Sequence, residues 1–355
     1  MEHEEIPVLV AGVGSAGTGR EIMKALGNAN QKYKIIATDM KNNSLGLFET
    51  QHRYVIPPAK SDKYISTLLK ICKKENIKTV IPGSDVELEK ISQNFEIFSD
   101  NKINVLANPR NVIELCSDKF ELTNFLEKNG IRCPRHLLYT NEKDLDEFVT
   151  YPIIIKPKSG GGSKNVFLAQ DKEEAKFFAN YLKKYNAEPI IQEYVGSHDE
   201  EYTIGVLYAD KGKLLTSIAM KRLLRGGLSI RQSITNPKTK EKYIISSGIS
   251  QGVVEDYYEI RKAAEKIAKI IGADGPVNIQ CRKTEEGVIP FEINPRFSGT
   301  TNGRAILGHN EPDILSRFRL FREIPEKIDH KFGYIIRDLN EKYISSEDCE
   351  SVHSI

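Results

Sequence analysis

Near the end of the chain three polar residues stand two apart: Glu292, Asn294 and Arg296, within VIPFEINPRFSG at 288–299. Strand side chains repeat every two residues, so on an extended chain all three lean to one face. The segment PVNIQCRK at 276–283 reads as a second strand, and TEEG at 284–287 as the turn between them. A three-residue loop, Glu285-Glu286-Gly287 with the glycine left-handed, is a common connection. In that register Gln280 lies opposite Glu292, and Asn278 opposite Asn294. One face then offers a carboxylate and several amide oxygens, with a guanidinium at its end. Hard oxygens around one small volume suit Mg²⁺ together with phosphates and water. The arginine suits a carboxylate or phosphate held in a bidentate fork. A polar surface hairpin would use the same residues, so the rest of the chain decides.

A second group lies mid-chain. In YPIIIKPKSGGGS at 151–163 an apolar strand ends at Lys156, and Gly160, Gly161, Gly162 and Ser163 follow. Glycines let backbone N–H groups approach a polyphosphate, and a lysine supplies a point charge. No G-K-[ST] leads into a helix, so this is not a Walker A loop. With a strand at 165–168, the segment reads as a hairpin whose tip forms a flap over phosphates. Lys119 follows Asp118 at the start of a helix that ends at Asn129-Gly130; Asp118 reads as an N-cap and Lys119 as a solvated charge. Asp85, in PGSDVE at 82–87, sits just past a strand end, where substrate contacts are usual, and helix capping explains it equally. Arg222, Arg225, Arg231 and Arg304 are candidates for anionic groups of a substrate, each with a surface-cation reading beside it. His198 and His309 are isolated and are not assigned to catalysis.

The elements that position these residues follow from pattern. At 355 residues the chain is too long for one ordinary core, and two or three domains are expected. The 51 basic and 49 acidic residues leave +2, which asks for neither nucleic acid nor an anionic membrane. The acidic N-terminus at 1–5 is no signal peptide, and no apolar run nears the ~18 residues of a membrane helix. Five widely spaced cysteines give neither a zinc site nor a disulfide frame, and reduced thiols in the cytoplasm are expected. The strand at 6–11, the loop Gly12-Val-Gly14-Ser-Ala-Gly17, a helix, and a strand ending at Asp39 form a dinucleotide-type fingerprint. Further strands at 78–81 and 103–106, alternating with helices at 64–76 and 86–95, imply a parallel sheet covered on both faces. The loop glycines serve tight turning and helix packing as readily as a nucleotide, so the tenant of this sheet stays open.

Six of these pieces, in order, resemble the ATP-grasp superfamily, and most closely the synthetase repeats of the carbamoyl-phosphate synthase large chain. They are Asp118-Lys119, Ile155-Lys156-Pro with the glycine flap, QEYV at 192–195, Glu201-Tyr202, Gln280, and EINPRFSGT at 292–300. The resemblance implies an α/β and α+β chain: a Rossmann-like domain at 1–110, a small lobe with the flap at 111–195, a large lobe at 196–330 and a tail at 331–355. It implies that Lys119 and Lys156, with Gly160, Gly161, Gly162 and Ser163, contact the phosphates of ATP. It puts adenine against Glu193 and the backbone of Tyr194 and Val195, ribose against Glu201, and Mg²⁺ (or Mn²⁺) on Gln280, Glu292 and Asn294. Arg296 faces the transferred phosphoryl group, and Ser298, Gly299, Arg225 and Asp85 complete the expected substrate contacts. The polar tail is expected to be loosely ordered or docked on a neighbour.

The implied chemistry is ATP-dependent activation of a small carboxylate as an acylphosphate, followed by attack of an amine or amino acid. The length fits one repeat and no glutaminase-like segment is present, which sets carbamoyl-phosphate-synthase-like transfer to bicarbonate or carbamate second. A nucleotide-binding regulatory protein with a degenerate site, and an NAD oxidoreductase built on Gly12–Gly17, are the readings from other classes. Expected partners are small molecules, with no nucleic acid and no membrane, and a homodimer as the alternative to a monomer.

Overall fold

The computed structural model describes residues 4–14, 17–236, 239–324, 328, 330–338 and 341–354. Residues 1–3 of the N-terminus, Ser15 and Ala16 of the glycine loop, and Pro325 lie outside them. The apolar run Ile6–Ala11 is the central strand of a six-stranded parallel sheet. Its neighbours are Tyr33–Asp39 on one side and Thr79–Pro82 on the other, with His52–Val55 and Asn104–Val105 beyond. Val8 and Val10 point into one core and Leu9 and Ala11 into the other, as a strand covered on both faces requires. Gly12 has φ +73, and a Cβ there would fall 1.9 Å from Glu87 Oε2. The first glycine therefore makes room for an internal carboxyl. Burial, and then the neighbouring Asp39, push that carboxyl up to about 7, with Ser84 pulling the other way.

The small lobe is a four-stranded antiparallel sheet in the order His136–Leu138, Pro189–Glu193, Ile153–Pro157, Phe167–Ala169. Asp118 caps the helix Lys119–Lys128, its carboxylate accepting from the N–H groups of Phe120 and Glu121. Asp85 is not a cap: Ser84 is, accepting from the Glu87 N–H, and Asp85 is the first residue of the helix Asp85–Ser92. The large lobe is a second six-stranded sheet, ordered Gly287–Asn294, Pro276–Thr284, Glu201–Ala209, Lys213–Arg222, Gly252–Val254, Gly333–Ile335. A two-stranded ribbon, Ile230–Thr235 with Lys242–Ser246, lies apart from it and was not legible in the sequence.

The late hairpin reaches its expected pairs by another route. Thr284 pairs with Gly287, so the turn holds two residues, not three. The missing residue reappears within the strand, where pairing steps from Cys281–Pro290 to Gln280–Glu292 and leaves Phe291 in a bulge. The two departures cancel, and Gln280 faces Glu292 and Asn278 faces Asn294 as expected. The bulge also frees the Phe291 carbonyl, which accepts from Lys156 Nζ at 3.3 Å.

The tail departs from expectation. Gly333–Ile335 adds an antiparallel strand to the large-lobe sheet, and the chain then returns to the first sheet, where residues 353–354 pair in parallel with His52–Val55. Val352 is buried in the same core as Val8 and Leu26. Apolar residues at intervals in a polar stretch anchor the tail to the chain's own first sheet.

Arg304 is not a surface cation. Only 2% exposed, it bonds to Glu311 at 3.1 Å and to Asn278 Oδ1 at 2.9 Å. The pair fits because residue 205 is glycine: a Cβ there would lie 2.2 Å from both the Arg304 Nη1 and the Glu311 Oε1. Removing one partner of such a pair strands a buried charge. Arg304→Ala is expected to cost about 3–5 kcal/mol, and the double change Arg304→Met with Glu311→Met far less. Urea unfolding of the three proteins measures both; an Arg304→Ala loss under 1 kcal/mol contradicts the account.

Candidate active site

Two lysines mark the inner end of the cleft between the lobes. Lys156 leaves the sheet as the strand Ile153–Pro157 ends, is 6% exposed, and donates to Gln192 Oε1 at 2.8 Å. Burial, and then the neighbouring Lys119 ammonium, push it from 10.5 down to about 8, with Glu292 pulling the other way. Lys119 Nζ donates to the Gly160 carbonyl, which ties the start of its helix to the flap. Burial holds Lys119 below its ordinary value against the pull of Glu292, Asp85 and Asp118. The flap crosses the cleft: Ser163 Oγ donates to the Ser246 carbonyl at 3.0 Å. Gly160, Gly161 and Ser163 line the cavity beneath it, with Val166, Ile244 and Phe291 as apolar walls. Gly162 lines the adjoining chamber.

Glu292, Asn294 and Arg296 share one face, as their spacing required. Asn294 Nδ2 donates to Glu292 Oε1 at 3.1 Å, and Arg296 Nη2 lies 3.4 Å from Asn294 Oδ1. Arg296 grips Asp85 with Nε at 2.5 Å and Nη2 at 3.2 Å. Burial raises the Asp85 pKa, but the guanidinium outweighs it and holds the carboxyl below its usual range. Asp85 also touches the flap, since a Cβ on Gly161 would lie 2.6 Å from its Oδ2. Beyond these residues opens a polar chamber of about 410 Å³. Thr18, Ser84 and Asp85 from the first sheet meet Thr203, Ser250, Ser298 and Thr300 of the large lobe there.

Mg²⁺ takes oxygen ligands and is commonly held by one or two carboxylates plus phosphates rather than an all-protein cage. Among the described residues no group of three or more His, Cys, Asp or Glu could hold a metal. The Glu292 carboxylate with amide oxygens beside it fits such a shared site. Gln280 Oε1 already accepts from Arg222 at 3.1 Å, which leaves it one lone pair, and Asn278 Oδ1 is taken by Thr203 and Arg304.

The other expected site residues differ in what their side chains already hold. Glu201 lines the cavity but is 1% exposed, with Arg222 on one oxygen and Arg282 on the other, each at 2.9 Å. Glu193 lines the cavity with an exposed side chain, one oxygen of which accepts from the Arg135 N–H at 3.2 Å. Tyr194 uses its hydroxyl on the Ile244 backbone, and Val195 lends its carbonyl to Arg282. Arg225 is exposed and is absent from the chamber wall, because its loop turns outward ahead of the short helix Gly226–Ser229. Arg222 is not a surface cation but is 2% exposed. Arg282 was missed, although it follows Asn278 and Gln280 at two-residue spacing and its guanidinium lies 4.2 Å over the Tyr194 ring. Ser246 and Ser247, which also bond Arg222, gave no signal.

Residues 116–300, more than half of the chain, match the ATP-grasp domain, and residues 11–106 match the PylC-like N-terminal domain. The carbamoyl phosphate synthase large chain of Clostridium perfringens is 26% identical over 210 residues, covering 58% of this chain and 18% of that relative. This chain therefore spans less than a fifth of that relative's length. A biotin carboxylase of Campylobacter jejuni, 15% identical, superposes with a TM-score of 0.66 over 93% of this chain and 74% of its own. An L-amino acid ligase from Bacillus licheniformis, also 15% identical, gives 0.64 over 90% and 75%. These findings bear out the expected fold class.

The lowered lysine gives a pH signature. The unfolded chain holds this proton up to 10.5 and the folded chain only to about 8, so the stability contribution of Lys156 rises between those values. An anionic ligand reverses the effect by favouring the charged form. Nucleotide binding is therefore expected to take up a proton near pH 8–9 and to weaken above it. Calorimetry in buffers of different ionisation enthalpy reads this directly; binding with no proton uptake there, or equal uptake in Lys156→Met, contradicts it.

Proposed function

We propose, from the premise that this chain belongs to the ATP-grasp family, that it is an ATP- and Mg²⁺-dependent ligase joining a small carboxylate to an amine or amino acid. One observation carries the reading. Lys156, Lys119 and the glycine flap converge on the Glu292–Asn294–Arg296 face, with a polar chamber directly beyond. A protein that only bound nucleotide would not need that chamber.

Adenine lies between the apolar walls, against the backbone at 193–195. Lys156 and Lys119 hold the phosphates, and the flap excludes water that would hydrolyse a mixed anhydride. Glu292 and Asn294, with the remaining lone pair of Gln280, hold Mg²⁺, which when bound neutralises phosphate charge. A carboxylate oxygen of the substrate attacks the γ-phosphorus, the bond to the ADP oxygen breaks, and ADP leaves. The amine nitrogen then attacks the acyl carbon and loses a proton, and phosphate departs. Arg296 stabilises the charge on the moving phosphoryl group. The five cysteines are unpaired, in keeping with a reducing compartment such as the cytoplasm.

A phosphate-release screen over paired acids and amines, with mass spectrometry of the product, tests the activity. ADP release that depends on an added acid is expected, and its absence across the screen counts against a ligase. Glu292→Gln and Lys156→Ala should each lower turnover at least ~100-fold while leaving the unfolding midpoint nearly unchanged. Full activity in either variant contradicts the site.

A further inference from the structure

Arg337 lies in the tail, outside every motif described above, yet it reaches the back of the reaction chamber. The strand Gly333–Ile335 pairs antiparallel with Gly252–Val254, with Ile335 opposite Gly252. Two residues further along, that register brings Arg337 level with Ser250. Its Nε donates to the Ser250 carbonyl at 2.9 Å, and its Nη2 donates to the Gly299 carbonyl and to Glu21 Oε2, the latter at 2.9 Å. One guanidinium thus joins three segments. The 247–250 and 298–300 loops form one wall of the chamber, and Glu21 stands one turn into the helix Thr18–Gly27, whose first residue lines the opposite side.

The two loops lie close together: a Cβ on Gly299 would fall 3.2 Å from the Gly248 carbonyl. The tail strand packs on the helix Thr301–Ile306 that follows the second loop: a Cβ on Gly303 would lie 2.8 Å from Ile335. A planar fork with several donors can serve acceptors in three directions at once, which a lysine ammonium on a flexible stem does less well.

We propose that Arg337 is a positioning residue: it clamps the 247–250 and 298–300 loops to the first-domain helix and so sets the shape of the chamber that receives the acid. That the chamber receives an acid rests on the ligase reading; the clamp itself does not. The adenine contacts at 193–195 and the two lysines lie in the neighbouring cavity, whose walls Arg337 does not touch. Its loss should therefore fall more heavily on the acid than on the adenine and lysine contacts of the nucleotide.

Two measurements on the full chain test this, with Arg337→Ala and Arg337→Lys. Hydrogen–deuterium exchange needs no turnover: Arg337→Ala should exchange at least tenfold faster at 247–250 and 298–300, with 158–166 unchanged. In kinetics with an acid found by the screen, Arg337→Ala should raise KM for the acid at least tenfold while the Kd for ADP stays within twofold. Arg337→Lys should recover part of both effects. Unaltered exchange at both loops in the folded variant overturns the clamp. Equal losses of ADP and acid binding mark a general structural role and overturn it too. If the parent chain shows no acid-dependent turnover, the ligase reading fails and the exchange result still decides the clamp.

Discussion

The register of Pro276–Thr284 against Gly287–Asn294 is the constraint on which the site depends. A one-residue slip would turn Glu292, Asn294 and Arg296 toward the core and bring Ile293 to the cleft. The structure guards the register with a two-residue turn and a compensating bulge at Phe291. The bulge has a second effect, since it exposes a backbone carbonyl to Lys156. Backbone irregularity and site assembly are one event here: the residue that breaks the ladder also anchors the lysine from the other lobe.

Charge is the second constraint. Lys156, Lys119, Asp85, Glu292 and Arg296 crowd one region, and each answers another. Asp85 holds Arg296 from the first sheet, and Glu292 steadies both lysines. Deeper in, Glu201 lies between Arg222 and Arg282 with almost no exposure. Such a cluster is costly to bury unless every member is paired, and pairing across elements fixes where those elements sit. The ion pairs do more for geometry than for net stability.

Hydrogen bonds across the cleft bring the separate sheets to one place. Ser163 of the flap meets Ser246 of the outer ribbon, and Arg337 of the tail meets two loops and the first helix. The elements around the first sheet thus contribute walls and counter-charges, and Gly12 packs against Glu87.

The sequence by itself determined whatever depends on spacing along the chain. Two-residue periodicity put Glu292, Asn294 and Arg296 on one face, and the hairpin pairing followed from it, though the turn length did not. The glycine run after Lys156 announced the flap, Asp118 its helix cap, and the apolar runs the parallel sheet, because these reflect local φ/ψ preference and near neighbours. Tertiary structure alone decided the partners far apart in sequence: Asp85 with Arg296, Glu201 between Arg222 and Arg282, Arg304 in the core, and the tail closing over the first sheet. Such pairs leave no period to read. Whether an arginine meets solvent, substrate or a buried acid depends on which distant segment the fold brings beside it, and that depends on the packing of the whole chain.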